Sequence, residues 1–171
     1  MPINRAPFNA LIDDSGNGLT GSIWNKAAIK TTLLDPIDAE VGTWLSYTPV
    51  WTTTGGTQPT LGSGYMIGRY RLQGKTCHVQ LRLGFGATTT YGVGVFLLTL
   101  PVAFDPQYTN MPLACYLQDA SVGAYLGVAN AYLANQLVIY AVGAPNGVNS
   151  ALPFAWASGD YIEVNGAYQI A

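Results

Sequence analysis

Residues 75–85 read KTCHVQLRLGF, and their apolar side chains fall on every second position. Cys77, Val79, Leu81, Leu83 and Phe85 share one face; Thr76, His78, Gln80 and Arg82 share the other. Successive side chains leave a β-strand on opposite sides, so a period of two marks a strand with one buried face. A helix would need apolar residues every three or four positions. This stretch therefore commits the chain to a sheet that covers a core.

The same reading extends from Gly42 to the C-terminus. Strands are expected at 43–52, 64–73, 92–100, 112–119, 122–130, 136–142 and 160–170. Turns such as Gly55-Gly56, Pro106 and Pro145-Asn146-Gly147 separate them. Residues 92–100, GVGVFLLTL, are apolar on both faces and are expected to be covered from both sides. About eight strands with no helix between them indicate an all-β, antiparallel β-sandwich, with a jelly roll as the expected topology. Composition agrees, with 20 Gly and 11 Tyr and only 9 % charged residues, against roughly 25 % in an average soluble protein. So few charges leave apolar surface that a monomer rarely exposes, and self-association is expected.

Charge divides the chain in two. Residues 1–41 carry Arg5, Asp13, Asp14, Lys26, Lys30, Asp35, Asp38 and Glu40, half of all the charged side chains. They form an expected N-terminal arm, and 42–171 the β-module. Within the arm, Ser22 to Leu34 reads as a short helix, capped by Thr20 or Ser22 and stopped by Asp35-Pro36. A helix of that length is marginal alone and must dock on something.

Asp13-Asp14-Ser15-Gly16-Asn17-Gly18 looks at first like a calcium loop. Counted from Asp13, an EF-hand-type loop would need a bidentate Glu at its last ligand position, and Trp24 stands there. A tight Asx-rich turn is the better reading, and no metal or cofactor is expected. Catalytic patterns are also missing. His78 is the single histidine, and Asp160 and Glu163, three apart on a strand, fall on opposite faces. No nucleophile elbow, zinc motif or phosphate loop occurs, so no catalytic residues are assigned and no enzyme is expected. A net charge of −2 argues against nucleic acid as a partner. Arg69, Arg71, Lys75 and Arg82 are read instead as a solvated or inter-subunit face. No apolar run is long enough to insert in a membrane, and the N-terminus lacks the apolar core of a signal peptide. Cys77 and Cys115 sit in apolar strand patterns and read as buried, reduced thiols. Aromatic side chains are plentiful enough to line a glycan groove; Tyr91 and Tyr108, in loop-like stretches, are the candidate receptor contacts.

Several elements in order resemble a module of tailed-bacteriophage structural proteins of the fibre or tail-appendage type. They are Tyr47-Thr48-Pro49-Val50-Trp51-Thr52, then Pro59 to Gly64 (PTLGSG), Gly68-Arg69-Tyr70, and Gly74-Lys75. Gly86 to Gly94 (GATTTYGVG), Leu100-Pro101 and the closing stretch Trp156 to Tyr168 (WASGDYIEVNGAY) follow. The opening FNALIDDSGNGLTGSIWNKAAIKTTLLDPID is similar to the N-terminal stretch of phage fibre-like proteins. The resemblance implies a non-enzymatic homotrimer on the external surface of the virion. Its arm would attach to other virion proteins, with Phe8, Ile23, Trp24, Ile29 and Leu34 as candidate contacts, and its β-module would meet host surface glycan. Either Phe96 and Leu98, or Val93, Val95 and Leu97, would face the trimer axis. The family often carries a shaft or second domain; their absence here points to a compact appendage. A capsid decoration protein or head fibre with a purely structural role is the alternative.

Overall fold

The computed structural model describes residues 42–107, 111–133 and 135–171. The expected arm, with its helix, its Asx-rich turn and Phe8, Ile23, Trp24, Ile29 and Leu34, lies outside the described residues, as does Tyr108. Trp44–Arg71 and Lys75–Ala171 form one unit, and the rest of this section concerns it.

Nine strands make up its framework: β1 (Leu45–Tyr47), β2 (Trp51–Thr53), β3 (Tyr65–Gln73), β4 (Thr76–Gly84), β5 (Phe96–Thr99), β6 (Leu113–Asp119), β7 (Gly123–Ala131), β8 (Gln136–Ala141) and β9 (Tyr161–Gln169). Each strand expected from the sequence is present. Two of those stretches are shorter or divided, for local reasons. Pro49 has no N–H to donate, and it splits the 43–52 stretch into β1 and β2. Gly92 and Gly94 take φ of +66° and +101°, which keeps the start of the 92–100 stretch in a loop, and β5 begins at Phe96.

The expected division into two packed sheets is not what the described residues form. The strands make one hydrogen-bonded sheet in the order β1-β3-β4-β9-β6-β7-β8-β5-β2, antiparallel at every registered pair. This sheet has to curl. β1 and β2 are its two edges, yet only Thr48, Pro49 and Val50 connect them. Nine flat strands at about 4.8 Å spacing would hold the edges roughly 38 Å apart. Three linking residues reach about 14 Å at most. The sheet therefore rolls round until its edges approach, as an incompletely closed barrel. Val50 pins the junction: its carbonyl accepts from Thr99 N at 3.0 Å and its N–H donates to Thr99 Oγ1 at 2.7 Å.

Rolling creates the inside. Val79, Leu83, Phe96, Leu98, Leu117, Ile139 and Ile162 are completely enclosed, and they come from β4, β5, β6, β8 and β9. The alternation read at 75–85 is what aims β4 inward. One end of the interior is filled by rings, with Phe85 and Trp156 at 4.9 Å, Trp51 and Phe96 at 5.0 Å, and Phe154 and Trp156 at 4.3 Å between centroids. Trp156 Nε1 donates to the carbonyl of Asn149 at 2.8 Å, so its polar edge is satisfied inside. Leu97 and Val138, paired across β5 and β8, are buried on the other face, so this part of the sheet is covered on both sides as expected. Cys77 and Cys115 are buried free thiols.

Candidate functional site

The side chains that β4 turns away from the core meet those of β9. Register sets Gln80 opposite Asn165 and Arg82 opposite Glu163. β3 adds Ile67 and Arg69, and β1 adds Ser46. Together they line a groove of about 550 Å³ on the outer face of the sheet.

Its cations are held in place. Arg69 Nε donates to Gln80 Oε1 at 2.7 Å. Arg82 Nη1 lies 3.5 Å from Glu163 Oε1, and its guanidinium stands 3.8 Å from the centroid of the Tyr161 ring. Tyr161 in turn stacks on Tyr116 at 6.0 Å, and Tyr116 donates its hydroxyl proton to Gln118 Oε1. Tyr65 lies across β4 at Gly84, where a Cβ would come within 2.3 Å of the ring, and its own ring is 5.9 Å from Arg82. Arg69 and Arg71 reach over Trp44 at 5.0 and 5.5 Å. Half-exposed ion pairs and ring contacts of this kind add little stability, about 1 kcal/mol or less each. Their consequence is positional: planar cations are fixed against rings on an open face.

Charge is unevenly spread over the described residues. Arg69, Arg71 and Arg82 project from β3 and β4, and Lys75 sits between those strands. Asp119 and Asp160 are buried and engaged with backbone N–H groups. Hydrogen bonding from the Ser121 hydroxyl, ahead of its backbone bonds, holds the Asp119 carboxyl below the usual carboxylate range. Glu163 alone brings negative charge into the groove. Among the described residues no group of His, Cys, Asp and Glu side chains is arranged to hold a metal.

A second feature lies in the loops. The segments PTLGSG and GATTTYGVG come together. Thr60 and Thr90 exchange backbone hydrogen bonds at 2.9 Å and bring their hydroxyls to 2.8 Å. Thr89 Oγ1 donates to the carbonyl of Leu61 at 2.7 Å and accepts from Gly86 N at 2.9 Å. Glycine is required where the backbones touch: a Cβ at Gly62 would sit 2.3 Å from the carbonyl oxygen of Thr88. Tyr91 rides on this clasp, half-exposed, with its ring 5.3 Å from Phe85 and 6.3 Å from Trp51. Burial raises its hydroxyl pKa.

The residues expected at a trimer axis are scattered in burial. Phe96 and Leu98 are enclosed in the chain's own core, Leu97 is buried, Val95 is half-buried, and Val93 is 59 % exposed. A different apolar stretch faces outward on β6 and β7, where Leu126 is 73 % exposed and Ala114 pairs with the half-exposed Val128. This stretch borders the groove, since Ala114 also pairs with Asn165. Among the aromatic side chains, Trp51 and Trp156 are core, whereas Trp44, Tyr65 and Tyr132 are exposed. Gln80, Glu163 and Asn165 were not singled out as a site by the sequence. The alternation at 75–85 turned Gln80 outward and parity set Glu163 opposite Asp160, but neither showed that β4 and β9, about eighty residues apart, lie side by side.

No family model matches the chain, and no solved structure matches it. A curated protein is distantly related: the Mu-like prophage FluMu defective tail fiber protein of Haemophilus influenzae is 26 % identical over 113 residues. That stretch is 64 % of this chain and 18 % of the relative, so the chain spans less than a fifth of that protein's length.

Proposed function

We propose that the chain is a structural protein of a tailed-bacteriophage virion: a non-enzymatic, homotrimeric fibre-like or tail appendage. Its rolled sheet meets saccharide on the host surface, and its N-terminal arm attaches it to other virion proteins. The observation that carries this reading is the relationship to a phage tail fibre protein over 113 residues. The sequence elements from Tyr47 to Tyr168 that resemble phage appendage modules support it.

Two features of the sheet suit the role. Its outer face pairs a polar groove with exposed aromatic rings, a combination that receives the hydroxyls and the apolar faces of sugars together. Its β6–β7 stretch offers Leu126, Val128 and Ala114 for burial against another copy. Trimerisation in this reading covers that stretch and leaves the groove at its border open.

Labelling of phage particles with an antibody to the β-unit tests the assignment. Label at the tail tip in electron micrographs is the expected outcome. Label on the capsid would favour a decoration protein, and particles without label would refute a virion role. Native mass spectrometry of the purified chain tests the trimer, and a monomer at micromolar concentration would remove it.

A further inference from the structure

The groove carries more positive charge than its own carboxylate can satisfy. Arg69 engages Gln80 only through Nε, and among the described residues its terminal nitrogens bond to no carboxylate. Arg82 holds Glu163 at the long distance of 3.5 Å, and its Nε is buried without a partner among the described residues. A guanidinium presents five N–H donors in a fixed fork suited to a planar or tetrahedral oxyanion. Arg69 and Arg82 are already oriented by Gln80 and Tyr161, so a ligand would bear little of the cost of ordering them.

The rest of the groove calls for a ligand that is more than an ion. Asn165 is exposed and has no hydrogen-bond partner among the described residues, so its amide can both donate and accept, as sugar hydroxyls require. Next to the groove, the half-exposed ring of Tyr65 supplies an apolar face beside Arg82. A volume of 550 Å³ falls within the roughly 300–1,000 Å³ of small-ligand sites. A long polyanion such as nucleic acid would need a longer track of cations than β3 and β4 provide.

We propose that this groove binds an anionic saccharide, with Arg69 and Arg82 taking its acid group and Asn165 and Tyr65 its ring. The inference rests on the reading of the β-unit as a host-surface contact and names the chemical class that it contacts. The acid group is a carboxylate or a phosphate, both of which the guanidinium fork accepts.

The test is binding of the full-length protein to an array of bacterial saccharides bearing uronic acids, phosphorylated sugars or neutral sugars. Arg69→Gln, Arg82→Gln, Asn165→Ala and Glu163→Gln are compared with the parent after melting curves confirm that each is folded. The expected result is retention on acidic spots, weakened about tenfold or more by Arg82→Gln and Arg69→Gln and strengthened by Glu163→Gln, which frees Arg82. Opposite effects from the two members of one ion pair would not arise from a merely structural role. Uronic acid against phosphorylated spots identifies the acid. Neutral sugars bound as well as acidic ones, or binding indifferent to both arginine variants, would overturn the anionic site and leave saccharide contact standing elsewhere. No retention on any spot would overturn saccharide contact as well.

Discussion

Ser63 and Thr88 hydrogen-bond each other twice. Thr88 Oγ1 accepts from Ser63 N at 2.8 Å, and Ser63 Oγ accepts from Thr88 N at 3.2 Å. This reciprocal pair links the PTLGSG and GATTTYGVG segments, which the sequence shows only as separate glycine-rich stretches. Because both bonds are solvent-exposed, Ser63→Ala or Thr88→Val should each cost about 0.5–1 kcal/mol in urea unfolding. The double variant should cost less than the sum, since either change loosens the geometry of the other bond. Gly62→Ala is expected to be worse, about 2 kcal/mol or more, because φ is +55° and a Cβ would strike Thr88. A Gly62→Ala variant as stable as the parent would show that the clasp is not rigid.

Asp160 anchors the entry to β9 from inside. Its Oδ1 accepts from Ala120 N at 2.8 Å and its Oδ2 from Ala157 N at 2.7 Å. Asp160→Asn must turn an NH₂ toward one of those N–H donors. The expected loss is about 2–3 kcal/mol by denaturant titration, and a change within 0.5 kcal/mol or so would contradict the geometry.

Tyr47 and Tyr168 make a controlled comparison. Tyr168 donates its hydroxyl proton to the carbonyl of Val102 at 2.8 Å, whereas the Tyr47 hydroxyl is buried without a partner among the described residues. Tyr168→Phe should therefore lose about 1 kcal/mol, and Tyr47→Phe should be neutral or stabilising. The reverse order in melting temperature would mean that the partners are misassigned.

Burial keeps both thiols protonated: Cys115 is pushed up to about 12, and Cys77 is raised as well. A thiol reagent near pH 8 should label neither cysteine in the native protein and both in denaturant. In the unfolded chain a thiol ionises above about pH 8.5, so between that value and the folded one the unfolded state binds fewer protons. Stability should fall as pH rises through this window, and Cys115→Ala should flatten the slope. Equal slopes would remove Cys115 as a contributor.

The alternation at 75–85 was enough to establish a sheet, its buried face and its outward residues, because side-chain direction in a strand depends only on local backbone geometry. The period-two pattern and turn chemistry likewise located the other strands, and the opposite facing of Asp160 and Glu163 followed from parity alone. Pro49 and Gly92 explain why two stretches broke where they did, and both effects are local. What the sequence could not supply was which strands are neighbours. That is set by the closing of a rolled sheet, in which Thr48, Pro49 and Val50 join the first and ninth strands of the order. One continuous sheet in place of two is a consequence of that closure. So is the groove, since Arg82 meets Glu163 and Gln80 meets Asn165 only after β4 and β9 have paired. Parity decided which side each residue faces; long-range pairing, driven by burial of the shared core, decided what it faces.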